Sequence, residues 1–165
     1  MSYSVVSQLH PNGVIVRGAL DRAGVKGVIV ETAESSPTAV AAAEQLGISV
    51  GQIANSLIFE ADGTPLLVMT SGAHRVDTAR LATQLGFAVI RRPGAEFVRE
   101  HTGQPIGGVA PVGHPLPLTT IVDVALEQYD EIWAAAGHPH YVFPTTFEEL
   151  VALTNGQVLT VGVES

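Results

Sequence analysis

The chain has no cysteine and a single lysine, Lys26, in 165 residues. The first absence excludes a disulfide scaffold, a Cys-ligated zinc or iron–sulfur site and thiol catalysis. Charge is also scarce, with 15% charged residues where about a quarter is usual in a soluble domain. The solvated face must therefore draw on Thr, Ser, Gln and backbone. Aromatics make up only 5% of the residues. No apolar run approaches the roughly 18 residues that a membrane span needs. The start, Met1-Ser-Tyr-Ser-Val5, lacks the basic and apolar regions of a secretory signal, so the expectation is a soluble cytoplasmic protein with no membrane partner.

The hydrophobic content is ample at 46%. A chain of this length buries roughly 70% of its unfolded surface, enough for one self-sufficient domain over residues 1–165. Sixteen acidic against eight basic residues give a net charge of −8. That field disfavours extended nucleic-acid binding through many phosphates but leaves room for gripping one short end.

Turn signals punctuate the chain. Pro11-Asn12-Gly13 is expected to delay a first helix to about 14–23, before a short β-branched strand at 28–30. Ser36-Pro37 reads as an N-cap and first helical residue of a helix to Leu46, closed by Gly47. Apolar runs at 53–60 and 66–69 flank Asp62-Gly63, a strong hairpin signal, with Pro65 at the second strand's start. Helices are expected at 75–85 and 95–101, and strands at 87–90, 119–123, 132–135 and 157–161. Thr146-Phe-Glu-Glu149 has the spacing of a capping box opening the last helix. Alternating strands and helices interrupted by a hairpin predict an α+β fold, a mixed sheet with helices outside, curled toward a barrel.

Gly107-Gly-Val-Ala-Pro-Val-Gly113 is the most unusual segment. Paired glycines allow close approach of backbone to a ligand and Pro111 stiffens the turn, so the segment presents N–H and C=O groups to an amino group, an ester carbonyl or a water. By composition alone a tight connection between strands is the preferred explanation. It is not a phosphate loop, because no Gly-Lys-Ser/Thr follows and the dinucleotide spacing is absent. His138-Pro-His140 offers two imidazoles but no recognisable third ligand, so neither metal nor cofactor is expected; a metal-dependent hydrolase on this pair is the weakest reading. His114 or His138 could instead border a pocket and orient a substrate carbonyl. No serine occupies a hydrolase elbow, and no acids are spaced as a catalytic pair. Arg75, Arg91 and Arg92 are candidates for a phosphate or carboxylate clamp, and Arg91-Arg92-Pro93 ranks first because it follows a predicted strand.

Three segments taken together resemble the YbaK/EbsC family, related to the editing insertion domain of bacterial prolyl-tRNA synthetases. They are Thr38-Ala-Val-Ala-Ala-Ala-Glu-Gln-Leu-Gly47 leading to Gln52-Ile-Ala-Asn-Ser-Leu-Ile-Phe59, the loop Gly107 to Gly113, and the tail from Ala136-Gly137 to the helix near Leu150, spread over about residues 28–161. The resemblance implies a curled mixed sheet ringed by helices, of the prolyl-tRNA synthetase-associated domain type. It implies a free-standing hydrolase of mischarged aminoacyl-tRNA that acts in trans, with the acceptor end as partner and a synthetase as a further one. Gly107, Gly108, Pro111 and Gly113 would supply the catalytic backbone, and Thr38, Asn55, Arg75, Arg92 and His138 would bind substrate. The family carries a lysine where this chain has Asn55. Exchanging a charge-assisted contact for a neutral amide costs on the order of 1–2 kcal/mol, about tenfold in rate or affinity. Lys26 is too far upstream to inherit the role. The substitution leaves three expectations: a deacylase that uses an arginine instead, a deacylase with another substrate, or a module that binds aminoacyl-tRNA or an amino-acid derivative without cleaving it. The low charge content also leaves room for self-association.

Overall fold

Helix α1 (Pro11–Arg22) opens on the tripeptide that was expected to delay it. Pro11 stands at the first helical position, where its missing N–H has no partner to lose. The His10 imidazole accepts the Asn12 N–H at 3.1 Å. Gly13 lies so close to the Tyr141 ring that a Cβ there would sit 2.8 Å from it, so packing explains this glycine. The computed structural model describes residues 3–164.

The hairpin of β3 (Ile53–Ala61) and β4 (Thr64–Ser71) forms the centre of a mixed sheet. Its two-residue turn has positive φ at Asp62 (48°) and Gly63 (87°), the left-handed geometry that matches strand twist. Beyond β4 follow β7 (Thr119–Asp123) and β10 (Gln157–Leu159), both parallel to their neighbours. On the other side β8 (Ile132–Ala135) runs parallel to β3, then β9 (Tyr141–Thr145), β2 (Val30–Thr32) and β1 (Tyr3–Val5) continue antiparallel. The two-residue β6 (Ile90–Arg91) pairs with the far end of β3. The expected mixed sheet is present, and its path is open from β1 to β10.

Alternate side chains of the central hairpin enter two cores. Ile58, Leu67 and Met69 join Val16 and Leu20 of α1 with Phe143 and Leu150, whereas Phe59, Leu66 and Val68 join Leu81 and Ile121. Burial on both faces explains why β3 and β4 read as continuous apolar runs. A third cluster packs α2 (Ala39–Leu46) through Ala42, Ala43 and Leu46 onto Ile53 and Trp133.

Several expected boundaries shift: the strand expected at 28–30 lies at Val30–Thr32, and the one expected at 87–90 is reduced to Ile90–Arg91. The α2 N-cap is Thr38, whose hydroxyl accepts the Ala41 N–H at 3.2 Å. Ser36 is instead buried and donates to Thr32 Oγ1. The segment expected as a helix over 75–85 divides into β5 (His74–Val76), paired with β11 (Gly162–Glu164), and α3 (Thr78–Leu85), capped by Asp77. Helix α4 (Ala95–Thr102) lies where expected. In α5 (Phe147–Thr154), Thr146 caps the Glu149 N–H, but the Glu149 carboxylate accepts from the Thr145 hydroxyl, so the reciprocal half of the capping box is absent.

Candidate active site

A cleft of about 550 Å³ opens between the α2 N-terminus, the middle of β3, β5 and the glycine segment. Thr38, Asn55, Arg75, Arg92 and Gly107 all line it, although they are scattered over 70 positions of sequence. Thr38 arrives there because the turn before α2 ends on its own cap. Asn55 sits on β3, in register with Thr70 of β4, and its amide makes no hydrogen bond to the protein among the described residues. Arg75 is carried by the short strand β5 rather than by a helix face. The guanidinium of Arg92 lies 5.7 Å from the centroid of the buried Phe59 ring, which steadies it at the rim. Arg91 is not a lining residue. It pairs with Glu60 at 3.0 Å, and that hydrogen bond raises its pKa further above the ordinary guanidinium range.

The glycine segment contributes Gly107 and Val109 to the cleft wall. Gly107 has φ +88°, and a Cβ on it would meet the Pro37 backbone at 3.0 Å. No hydrogen bond engages the N–H of Gly107 or of Val109 among the described residues, although Val109 is buried. Several other polar groups of the segment are engaged within the protein. Buried Gln104 accepts the Ala110 N–H at 2.7 Å and donates to the Val112 carbonyl at 3.2 Å, bracing the loop from behind. The Gly108 carbonyl accepts the Gly137 N–H at 2.8 Å. Gly108 packs so closely that an added Cβ would stand 2.8 Å from the His138 carbonyl carbon. Gly113 and Pro111 lie away from the cleft, beside His114.

The histidines divide differently from expectation. His114 Nε2–H donates to the Ala110 carbonyl at 2.8 Å, so this ring fastens the loop. Burial depresses its pKa, and the same hydrogen bond opposes that only in part. His138 lies outside the cleft, its ring 4.9 Å from Tyr141 and 5.1 Å from His10. Burial lowers its pKa first and the neighbouring His10 and His140 lower it further. Its Nδ1 accepts the His140 N–H, and His140 Nδ1 donates to the Thr32 carbonyl. Among the described residues no three His, Asp or Glu side chains are grouped to hold a metal.

The histidine that does line the cleft is His74, which no sequence motif singled out. Its Nδ1 stands 2.8 Å from a carboxylate oxygen of Asp123, a residue only 1% exposed. Asp123 further accepts the Ser71 N–H at 3.0 Å, the Thr70 hydroxyl at 3.3 Å and the Ala125 N–H at 3.0 Å. Its one sequence signal is an acid closing a short β-branched strand, Thr119-Thr-Ile-Val-Asp123.

The family model of the aminoacyl-tRNA editing domain matches residues 33–153. The uncharacterized protein YwhH of Bacillus subtilis (strain 168) is 32% identical over 123 residues, which cover 74% of this chain and 78% of YwhH. A proline–tRNA ligase of Bacillus licheniformis is 33% identical over 96 residues, 58% of this chain but only 17% of the ligase. A solved structure described as that of a candidate trans-editing enzyme for prolyl tRNA synthetase has a TM-score of 0.87 at 40% identity, covering 94% of this chain and 99% of the other.

Proposed function

Because the chain belongs to the aminoacyl-tRNA editing domain family, we propose that it is a free-standing, single-domain deacylase that works in the cytoplasm on mischarged tRNA released by a synthetase. The observation that carries the reading is the convergence of Thr38, Asn55, Arg75, Arg92 and Gly107 on one cleft. A water attacks the carbonyl carbon of the ester joining the amino acid to the terminal ribose. The oxyanion that develops is received by the unengaged N–H groups of Gly107 and Val109, fixed in advance by the Gln104 brace. Such preorganised donors are worth roughly 3–4 kcal/mol each in comparable acyl-transfer sites. The C–O bond to the ribose then breaks, giving a free amino acid and a tRNA with its hydroxyl restored. Asn55 offers two donors and an acceptor to the terminal nucleotide or the amino acid, and Arg75 and Arg92 meet the phosphates.

Loss of the family lysine at Asn55 favours a second reading, a module that holds the charged acceptor end without cleaving it. Deacylation of a panel of mischarged tRNAs by the purified chain, with Asn55→Lys alongside, separates the two. The deacylase reading expects wild type to release an amino acid well above the buffer rate, and Asn55→Lys to be slower. Activity that arises only in Asn55→Lys establishes the binding module.

A further inference from the structure

The deacylase reading needs the Val109 N–H held on one aim, and the Gln104 brace acts further along the loop, at Ala110 and Val112. We propose that Asn12, at the start of α1, is a positioning residue for the reaction, setting through Gly137 the plane of the Gly108–Val109 peptide. The inference rests on the deacylase reading and goes beyond it, since residue 12 lies outside the cleft and outside the residues 33–153 that the family model matches.

Three observations support it. The Gly108 carbonyl and the Val109 N–H belong to one planar peptide unit and point in opposite directions. The Gly137 N–H that donates to that carbonyl at 2.8 Å therefore also fixes the direction of the Val109 N–H, away from Gly137. Gly137 is in turn held by α1. The Asn12 side-chain amide donates to the Gly137 carbonyl at 3.1 Å, and a Cβ on Gly137 would stand 3.0 Å from the Asn12 carbonyl oxygen, so this turn rests directly on the helix start. With φ +95° and no side chain, Gly137 rotates easily unless the peptide on each side of it is tied down. Asn12 itself is well placed to do this. Its N–H donates to His10 Nδ1 at 3.1 Å, the His10 N–H donates to the Tyr141 hydroxyl at 2.9 Å, and Gly13 packs against the Tyr141 ring.

Asn12 touches no reacting atom, and its effect falls on the tetrahedral species, where charge on the oxyanion meets the Val109 donor. When the Asn12 amide is lost, Gly137 turns, the Gly108–Val109 plane tilts and the donor leaves the direction of the oxyanion. The acceptor end still meets Thr38, Asn55, Arg75 and Arg92, which Asn12 does not hold. This role separates from a simple helix-end role by the ranking of two substitutions. At the second position of α1 an aspartate favours the helix through its dipole, so a helix-end role ranks Asp above Ala. A carboxylate has no donor for the Gly137 carbonyl and repels it, whereas beside Ala a water can donate, so the positioning role ranks Asp below Ala.

The test uses the full chain and a mischarged tRNA that wild type hydrolyses, with turnover expressed per folded molecule from each variant's melting curve. Asn12→Ala is expected to lower kcat about 10-fold and Asn12→Asp about 100-fold, the scale of a misaimed oxyanion donor, with KM within about threefold of wild type. Wild-type kcat in either variant overturns the inference alone. So does a fall in rate confined to KM, or an order in which Asn12→Asp turns over faster than Asn12→Ala. A wild type that hydrolyses no charged tRNA overturns the deacylase reading and this inference with it.

Discussion

Imidazole burial makes acid a selective stress on this molecule. The unfolded chain protonates His114 near the ordinary value of 6.5, whereas burial holds the folded ring below it. His138 is shifted the same way, by burial and then by His10 and His140. As pH falls through about 6.5 the unfolded state therefore gains protons that the native state refuses, and stability declines, while above that window these two groups contribute nothing further. Melting temperature is expected to be flat at about pH 7–8 and to drop towards pH 5. The drop should be shallower in His114→Gln, whose amide still donates to the Ala110 carbonyl but does not titrate. An equal slope in that variant would sink the assignment. Asp62 acts in a separate range: hydrogen bonds from the Ala88 and Val89 N–H groups lower its pKa, so its contribution is lost only as pH falls through the carboxylate region.

Among the elements, the glycine segment shows how far a sequence can be read and where reading stops. Its turn chemistry was visible in Gly107 and Pro111. Which of its groups face the cleft was not, because that depends on Gln104 and on the turn at 137–139, which composition does not single out. Gln104→Leu strands the Ala110 N–H and the Val112 carbonyl in a buried setting. The expected loss is about 2–4 kcal/mol, or roughly 4–16 °C in melting temperature for a chain of this size. Gly108→Ala drives a methyl into the His138–Pro139 backbone and should also lower the melting temperature, since its fault is packing and not a lost cleft contact. Unchanged melting in both would show that the brace is dispensable. Strand β9 was unreadable for a different reason. Pro144 lies inside it, and proline argues against a central strand. Here β2 pairs only with Tyr141 and Val142, so at Pro144 that side of β9 has no ladder partner and the missing N–H costs nothing. The Asp62-Gly63 hairpin, by contrast, was legible, with its turn at the expected residues and its strands one or two residues longer at their ends than expected, because strands and connection are specified by adjacent positions.

On the scale of the whole molecule, what escaped the sequence was juxtaposition across the chain. Asn55 and Gly107 could be named from family resemblance and Arg92 from its place after a strand, yet His74 and Asp123 lie 49 positions apart and meet only because β4, β5 and β7 converge at one end of the sheet. The charge distribution follows the same logic. A chain with a net charge of −8 repels a polyanion over most of its surface, and Arg75 and Arg92 are the arginines that border the cleft. If the acceptor end binds there, about two phosphates are neutralised, and for single-stranded nucleic acid each contributes about 0.7 to the salt slope. The logarithm of tRNA affinity should then fall against the logarithm of salt concentration with a slope of about −1.4, and Arg75→Ala and Arg92→Ala should each flatten it by about 0.7. Titration of uncharged tRNA by fluorescence anisotropy at several salt concentrations measures both quantities. A much steeper slope, unaffected by either substitution, would mean that tRNA is held by a wider basic surface elsewhere, which this acidic chain has few residues to build.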